Sequence, residues 1–270
     1  MDALPEDCVH AILSYTSPAE ASRCSVVSST FLSASVSDMV WESFLPSDYD
    51  DIVSRALVPL RFSSKKDLFF ALSRPLLIDG GNKSFNLDKK SGKITYILSA
   101  RELCISWSDD PLLWSWIPLR ESRFPVVAVL RTVGWLEIEG KIRTGSLSPS
   151  TWYGAYMIMK VSERAYGLES AVSRVRVQVG SQVKSGRAYL WHEPEQTKMI
   201  KELFYGERRE IEEERVGIPR KRGDGWMEIK VGEFFCRKSD EEVKIRVTEL
   251  GYQLKGGLIL EGIEVRPKQY

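Results

Sequence analysis

With 270 residues, 43% of them hydrophobic, the chain can fill a sizeable core, and a net charge of +1 excludes a global electrostatic drive toward nucleic acid or an anionic membrane. Four cysteines without a C-x-x-C spacing and only two histidines, His10 and His192, argue against a zinc site and for reduced thiols in a protein of the cytoplasm and nucleus, with no cofactor. No stretch is long and apolar enough for a membrane span, and "MDALPEDCVH" lacks the basic start and apolar run of a secretory signal.

The charge is uneven. Residues 1–45 carry six acids against Arg23 alone, a net of −5, which leaves +6 on the remainder. In this acidic part apolar residues recur at helical spacing, as Val9, Ile12 and Leu13 and then as Val36, Val40, Trp41 and Phe44, with Leu4, Cys24, Val27 and Phe31 filling the space between. "LPED" places Pro5 at a helix start with two acids in the first turn, where the helix dipole favours them. "SPAE" predicts a second start, with Ser17 as N-cap, Pro18 after it and Glu20 three residues past the cap. Ser37 and Asp38 open a further helix that Pro46 ends. Three short helices are therefore expected over 1–46, too few to be stable without a partner or a neighbouring segment.

Residues 47–83 read as a helical connecting segment: a helix, a break at Pro59, and a second helix opened by Ser63 or Ser64 that carries Leu68, Phe69, Ala71 and Leu72. From residue 84 the period changes to two. "SFNLD" and "KITYILS" flank the turn "KKSG", a hairpin signal. Further strands are predicted at "WLEIEGKI", "YGAYMIMKV", "SRVRVQVG", "GWMEIKVGEFF", "EVKIRVTEL" and "GLILEGIEVRP". In "SRVRVQVG" three valines alternate with Arg174, Arg176 and Gln178, so one face is buried and the other wet. Short strands without helical crossovers point to an all-β antiparallel sandwich over 84–270, and the whole chain to an α+β multidomain protein.

Within that region "ISWSDDPLLWSW" places Trp107, Trp114 and Trp116 around an acidic turn. Leu103, Ile105 and Trp107 share one parity, and Leu112, Trp114 and Trp116 another, as two short strands joined by a turn require. That pattern leaves open whether the tryptophans face a core or a ligand. Shared parity is equally what a core face demands, and for Trp116 the core is the expectation. Catalytic signatures such as G-x-S-x-G, H-E-x-x-H or a P-loop are absent. The same-face carboxylates Glu137 and Glu139 would suit glycoside hydrolysis, but alternating Glu on a wet strand face is the commoner reading. His192 beside Glu193 reads as a surface residue at a strand end, and the highly charged stretch from Glu193 to Gly225, with "RKR" at 220–222, as a solvated insertion.

Two resemblances add to this. The opening Leu4-Pro5-Glu6, the pair Ile12-Leu13, the Ser17-Pro18 start, "VSSTF" and "SDMVWESFLP" together resemble an F-box. That resemblance implies binding to a Skp-type adaptor and through it to cullin, with Leu4, Pro5, Ile12 and Leu13 among the adaptor-facing residues; an ordinary helical cap is the competing reading. "SARELCISWSDDPLLWSW", "VGWLEIEGKI", "LSPSTWYGAYMIMKV", "GWMEIKVGEF" and "GGLILEGIEVRPK" resemble in order the plant phloem lectins, the phloem protein 2 or Nictaba-like family. This implies a lectin-type β-sandwich. It also implies a glycan or glycoprotein target, N-acetylglucosamine oligomers or N-glycans, held by the two tryptophans of a W-x6-W pattern that fall on Trp107 and Trp114. That fits their chemistry: an indole covers the apolar face of a sugar ring, and carboxylates such as Asp109 and Asp110 accept hydrogen bonds from its hydroxyls. The pair of resemblances implies a non-catalytic target-recognition subunit of an SCF-type ubiquitin ligase, or a receptor whose sandwich binds protein without sugar.

Overall fold

The computed structural model describes residues 4–168, 172–191, 217–251 and 253–268. Two compact units divide at Tyr96 and Ile97. Among the described residues no helix is long and apolar enough to cross a membrane.

The first unit is helical before it is extended. Helices α1 (Glu6–Ser14), α2 (Pro18–Cys24), α3 (Ser29–Val36) and α4 (Asp38–Glu42) occupy the acidic segment, one more than the apolar period predicts. The extra helix start comes from Ser28, whose hydroxyl accepts the Phe31 amide. Ser17 caps α2 as expected by accepting the Glu20 amide at 3.2 Å. The Glu20 carboxylate turns to Arg23 instead of back to the cap. Ser37 is extended between α3 and α4, which breaks the helical period and leaves Val36 exposed while Val40 and Trp41 are fully buried. Leu4 and Val27 are exposed as well and fill no core.

The next segment packs on this bundle. Helices α5 (Tyr49–Ser54) and α6 (Lys65–Leu72) follow, and α6 starts where Ser64 accepts the Asp67 amide. Its Phe69 lies 5.2 Å from the Trp41 ring, and Phe44 meets the same indole edge-on at 5.7 Å. Trp41 donates its indole N–H to the Ser35 carbonyl at 2.7 Å, so the largest core side chain has its polar atom satisfied. Beyond Pro75, which cannot continue a helix, the chain is extended as β1 (Leu76–Ile78) and pairs antiparallel with β2 (Lys83–Leu87). Residues 47–83 are thus not helical throughout. Asp88 accepts the Lys90 and Ser91 amides, and Gly92 at φ 69° closes the predicted hairpin into β3 (Ile94–Ser99). Phe85 of β2 packs on Tyr96 of β3 at 5.3 Å. The division between units falls after Tyr96 instead of at residue 83, so β1, β2 and the start of β3 belong with the helices.

The second unit is an antiparallel sandwich. In one sheet β14 (Gly256–Pro267) pairs with β8 (Thr151–Tyr166) and with β6 (Val127–Leu130), β8 pairs with β12 (Met227–Cys236), and β12 with β11 (Arg220–Lys221); β5 (Trp114–Ile117) pairs with β6. The other sheet runs in the order β10 (Gln182–Tyr189), β9 (Val172–Val179), β13 (Glu242–Glu249), β7 (Leu136–Arg143) and β4 (Cys104–Ile105). Val175 and Val177 of β9 and Val243, Ile245 and Val247 of β13 are buried, whereas Arg174 and Arg176 are exposed, as the alternation predicts; Val179 at the strand end is only partly covered. Where β12 bulges between Lys230 and Gly232, Val177 of the opposite sheet comes in, and a Cβ on Gly232 would lie 2.7 Å from its Cγ2.

Candidate functional site

The resemblance to an F-box places adaptor contacts on α1. Helical spacing puts Val9 and Leu13 one turn apart on the face that packs into the bundle, and both are buried. Ile12, one position round the helix, is exposed, as are Leu4 and Pro5 at its start. Leu13 is therefore core and not an adaptor-facing side chain. The outward set has members the apolar period missed: Tyr15 (93% exposed), Val26 (89%) and Met39 stand in solvent at helix ends and between helices. Singly exposed apolar residues are ordinary on a folded surface, and these join Leu4, Pro5 and Ile12 as outward-facing positions of the module.

The acidic turn links the two sheets. β4 pairs with β7 and β5 with β6, so residues 106–113 carry the chain from one layer to the other and not through a hairpin. The parity of the first strand ends at Ile105. Trp107 sits in the left-handed region at φ 66°, which a bulky side chain rarely adopts, and its indole is 60% exposed. Trp114 is only 1% exposed and donates its indole N–H to the Ser106 carbonyl at 3.1 Å. It fills the sandwich core beneath the turn and cannot stack on a ligand. Trp116, expected in the core, is half-buried instead: its N–H goes to the Ser108 carbonyl, and the Arg101 guanidinium lies over its ring at 3.7 Å. Asp110 shapes the turn. Its carboxylate accepts the Leu112 amide at 2.8 Å and its carbonyl the Leu113 and Trp114 amides. Asp109 is exposed, and Leu112 beside it is 75% exposed. Of the four residues expected to hold sugar, Trp107 and Asp109 thus face solvent, Asp110 is engaged in the backbone turn, and Trp114 is buried.

Comparison with known proteins decides the family. Residues 93–267 match the family model described as Phloem protein 2, and residues 1–43 match the F-box domain. This chain belongs to the F-box proteins of the phloem protein 2 family. It is 48% identical to "F-box protein PP2-B15" of Arabidopsis thaliana, over 98% of this chain and 96% of that one. It is 47% identical to "F-box protein PP2-B13" and 46% identical to "F-box protein VBF" of the same plant, each over 99% of this chain, and over 99% and 100% of theirs. Among solved structures, that of "TmCBM61 in complex with beta-1,4-galactotriose" is similar at a TM-score of 0.32 and 8% identity, over 63% of this chain and 91% of that chain.

In this F-box and phloem protein 2 chain the carboxylates suited to hydrolysis have other partners. Arg246 of β13 donates to Glu139 from Nε at 2.7 Å and also from Nη2, and its Nε lies 3.3 Å from Glu137. The pair is a cross-strand ion pair, and hydrogen bonding to Glu139 raises the guanidinium pKa further above its ordinary range. "RKR" is not a simple exposed turn either. Arg222 donates to Glu228 at 2.7 Å and to Glu264 at 2.5 Å, and Arg266 reaches Glu228 at 2.8 Å. Burial alone would push the Glu228 carboxyl up, but its two arginines outweigh that and hold it below the usual carboxylate range. Arg222 is thus structural. His192 and the charged stretch as far as residue 216 lie outside the described residues.

Proposed function

We propose that this chain is the target-recognition subunit of an SCF-type ubiquitin ligase, acting in cytoplasm and nucleus without catalysis of its own. The helical unit docks on a Skp-type adaptor and through it on cullin; the sandwich binds a carbohydrate of its target, an N-acetylglucosamine oligomer or the N-glycan of a glycoprotein. The observation that carries the sugar reading is the Trp107 indole, held out to solvent by a strained left-handed backbone one residue from Ser108 and two from the exposed Asp109. Strain of this kind persists only where surrounding structure enforces it, and it clusters at ligand-contacting positions.

A glycan array probed with the full chain, its Trp107→Ala variant and Asp109→Ala tests this reading. Losing a stacked aromatic costs on the order of 2 kcal/mol, about thirtyfold in affinity, while an exposed residue leaves the melting temperature nearly unchanged. Glycan binding that is unaffected by Trp107→Ala, or no glycan binding at all, refutes it. The second reading, a receptor that recognises protein surface, is favoured by the exposed aliphatic Leu112 in the same turn and by the burial of Trp114, which leaves a single ring available. For the helical unit, Leu4→Ala with Pro5→Ala should weaken co-purification with the adaptor and leave the sandwich folded.

A further inference from the structure

The outer face of the sheet β10-β9-β13-β7-β4 bears a cleft of about 1010 Å³ that includes Arg174, Arg176, Arg187 and Arg246 in its lining. Its volume matches that of specific ligand sites. The strand register sets these arginines against one another. Arg187 lies directly opposite Arg174 across β10 and β9, and Arg176 directly opposite Arg246 across β9 and β13. Like charges facing each other across a ladder are destabilising, and any small polar residue would satisfy a wet strand face. Arg246 is answered by Glu137 and Glu139. Among the described residues Arg174 and Arg176 make no ion pair, and both are exposed. At the end of the cleft stand Trp135, 50% exposed, and Leu250, 58% exposed.

We infer that this face docks an acidic polypeptide segment, one that carries Asp or Glu side chains together with a large apolar residue. Guanidinium groups engage carboxylates in forked pairs, which accounts for arginine in place of lysine at the opposed positions. Arg174 and Arg176 are two residues apart on one strand, a spacing of roughly 6.6 Å, and alternate side chains of an extended peptide laid along the strand recur at the same interval. An aliphatic Leu250 beside the Trp135 indole suits an apolar side chain and has no use against sugar hydroxyls, so a polypeptide is favoured over an acidic glycan. The site is separate from the Trp107 turn and stands whether or not that turn binds sugar.

Fluorescence anisotropy with the full chain and a labelled acidic Glu–Tyr copolymer tests the inference, with a neutral Gln–Tyr copolymer and oligogalacturonate as the other probes. The acidic copolymer should bind, more weakly as salt rises, and the neutral one should not. Arg174→Glu with Arg176→Glu should weaken binding tenfold or more, Trp135→Ala a few-fold, and Trp107→Ala not at all. The double variant places carboxylates opposite Arg187 and Arg246, so its melting temperature should be no lower than that of the parent; the milder Arg174→Gln with Arg176→Gln serves if it is. No binding of the acidic copolymer, equal binding by either double variant, or arginine-dependent capture of oligogalacturonate in its place overturns the proposal.

Discussion

The helical unit and the sandwich solve opposite problems. The helices leave Tyr15, Val26 and Met39 in solvent and keep their charges in exposed pairs such as Arg23 with Glu20, whereas the sandwich draws charges inward. There Lys255 is fully buried, bonded to the Glu249 carboxylate and to the Gly134 carbonyl at 2.7 Å, and Glu261 lies buried against Ser122 and the Arg123 amide. Burial raises the Glu261 carboxyl above its ordinary pKa despite the Arg123 guanidinium nearby. A small bundle has few core positions and leaves more apolar surface outside, while a large sandwich has core enough to hold a buried ion pair.

The contrast can be broken most forcefully in the sandwich. Lys255→Ala strands Glu249 in the interior and should cost about 3–5 kcal/mol, seen as a large fall in melting temperature, whereas Lys255→Met with Glu249→Leu should recover most of it. Trp114→Ala should cost a similar 3–5 kcal/mol as a cavity and an orphaned Ser106 carbonyl, against less than about 0.5 kcal/mol for Trp107→Ala. Equal melting of those two variants would show that the turn is not packed as described. In the helical unit, Leu13→Ala should destabilise by about 2–4 kcal/mol, while Ile12→Ala should leave the melt unchanged and lower adaptor affinity, which separates core from surface on adjacent residues.

The smallest effect is electrostatic. Asp79 accepts from Arg55 at 2.8 Å and pairs with Lys83 at 3.0 Å, and the hydrogen bond from Arg55 lowers its carboxyl to about 2. Because the folded-state value lies below the unfolded one, this stabilisation is present above about pH 4 and is lost as pH falls toward 2. Asp79→Asn should therefore cost about 1 kcal/mol near neutrality, after allowance for solvent screening, and the gap to the parent should close between pH 4 and 2 in acid-titrated chemical denaturation.

Much of the fold was legible along the chain because its determinants are local. Ser17, Ser64 and the Asp88 turn satisfy backbone amides within three residues, and Val175 and Val177 of β9 face inward by simple alternation. The missed strands show where that reach ends. β1 is three residues long, and β10 runs as "QVKSGRAY", too polar to announce a buried face. Alternation states which side chains share a side of a strand, and the pairing partner decides whether that side is core.

At the candidate sites the same distinction applies. Sequence by itself determined the two modules, most of the helix starts, the strand-rich second unit and the residue types at the Trp107 turn. Tertiary structure alone decided that Trp114 lies inside and Trp107 outside, since β4 and β5 join different sheets and the left-handed backbone at Trp107 ends the parity of its strand. It alone set Leu13 inward and Ile12 outward, and it alone gathered Trp135, Arg176, Arg187 and Arg246 onto one face. These positions are up to 111 residues apart in sequence, and only the antiparallel register of four strands, which no local pattern encodes, places their side chains within reach of one ligand.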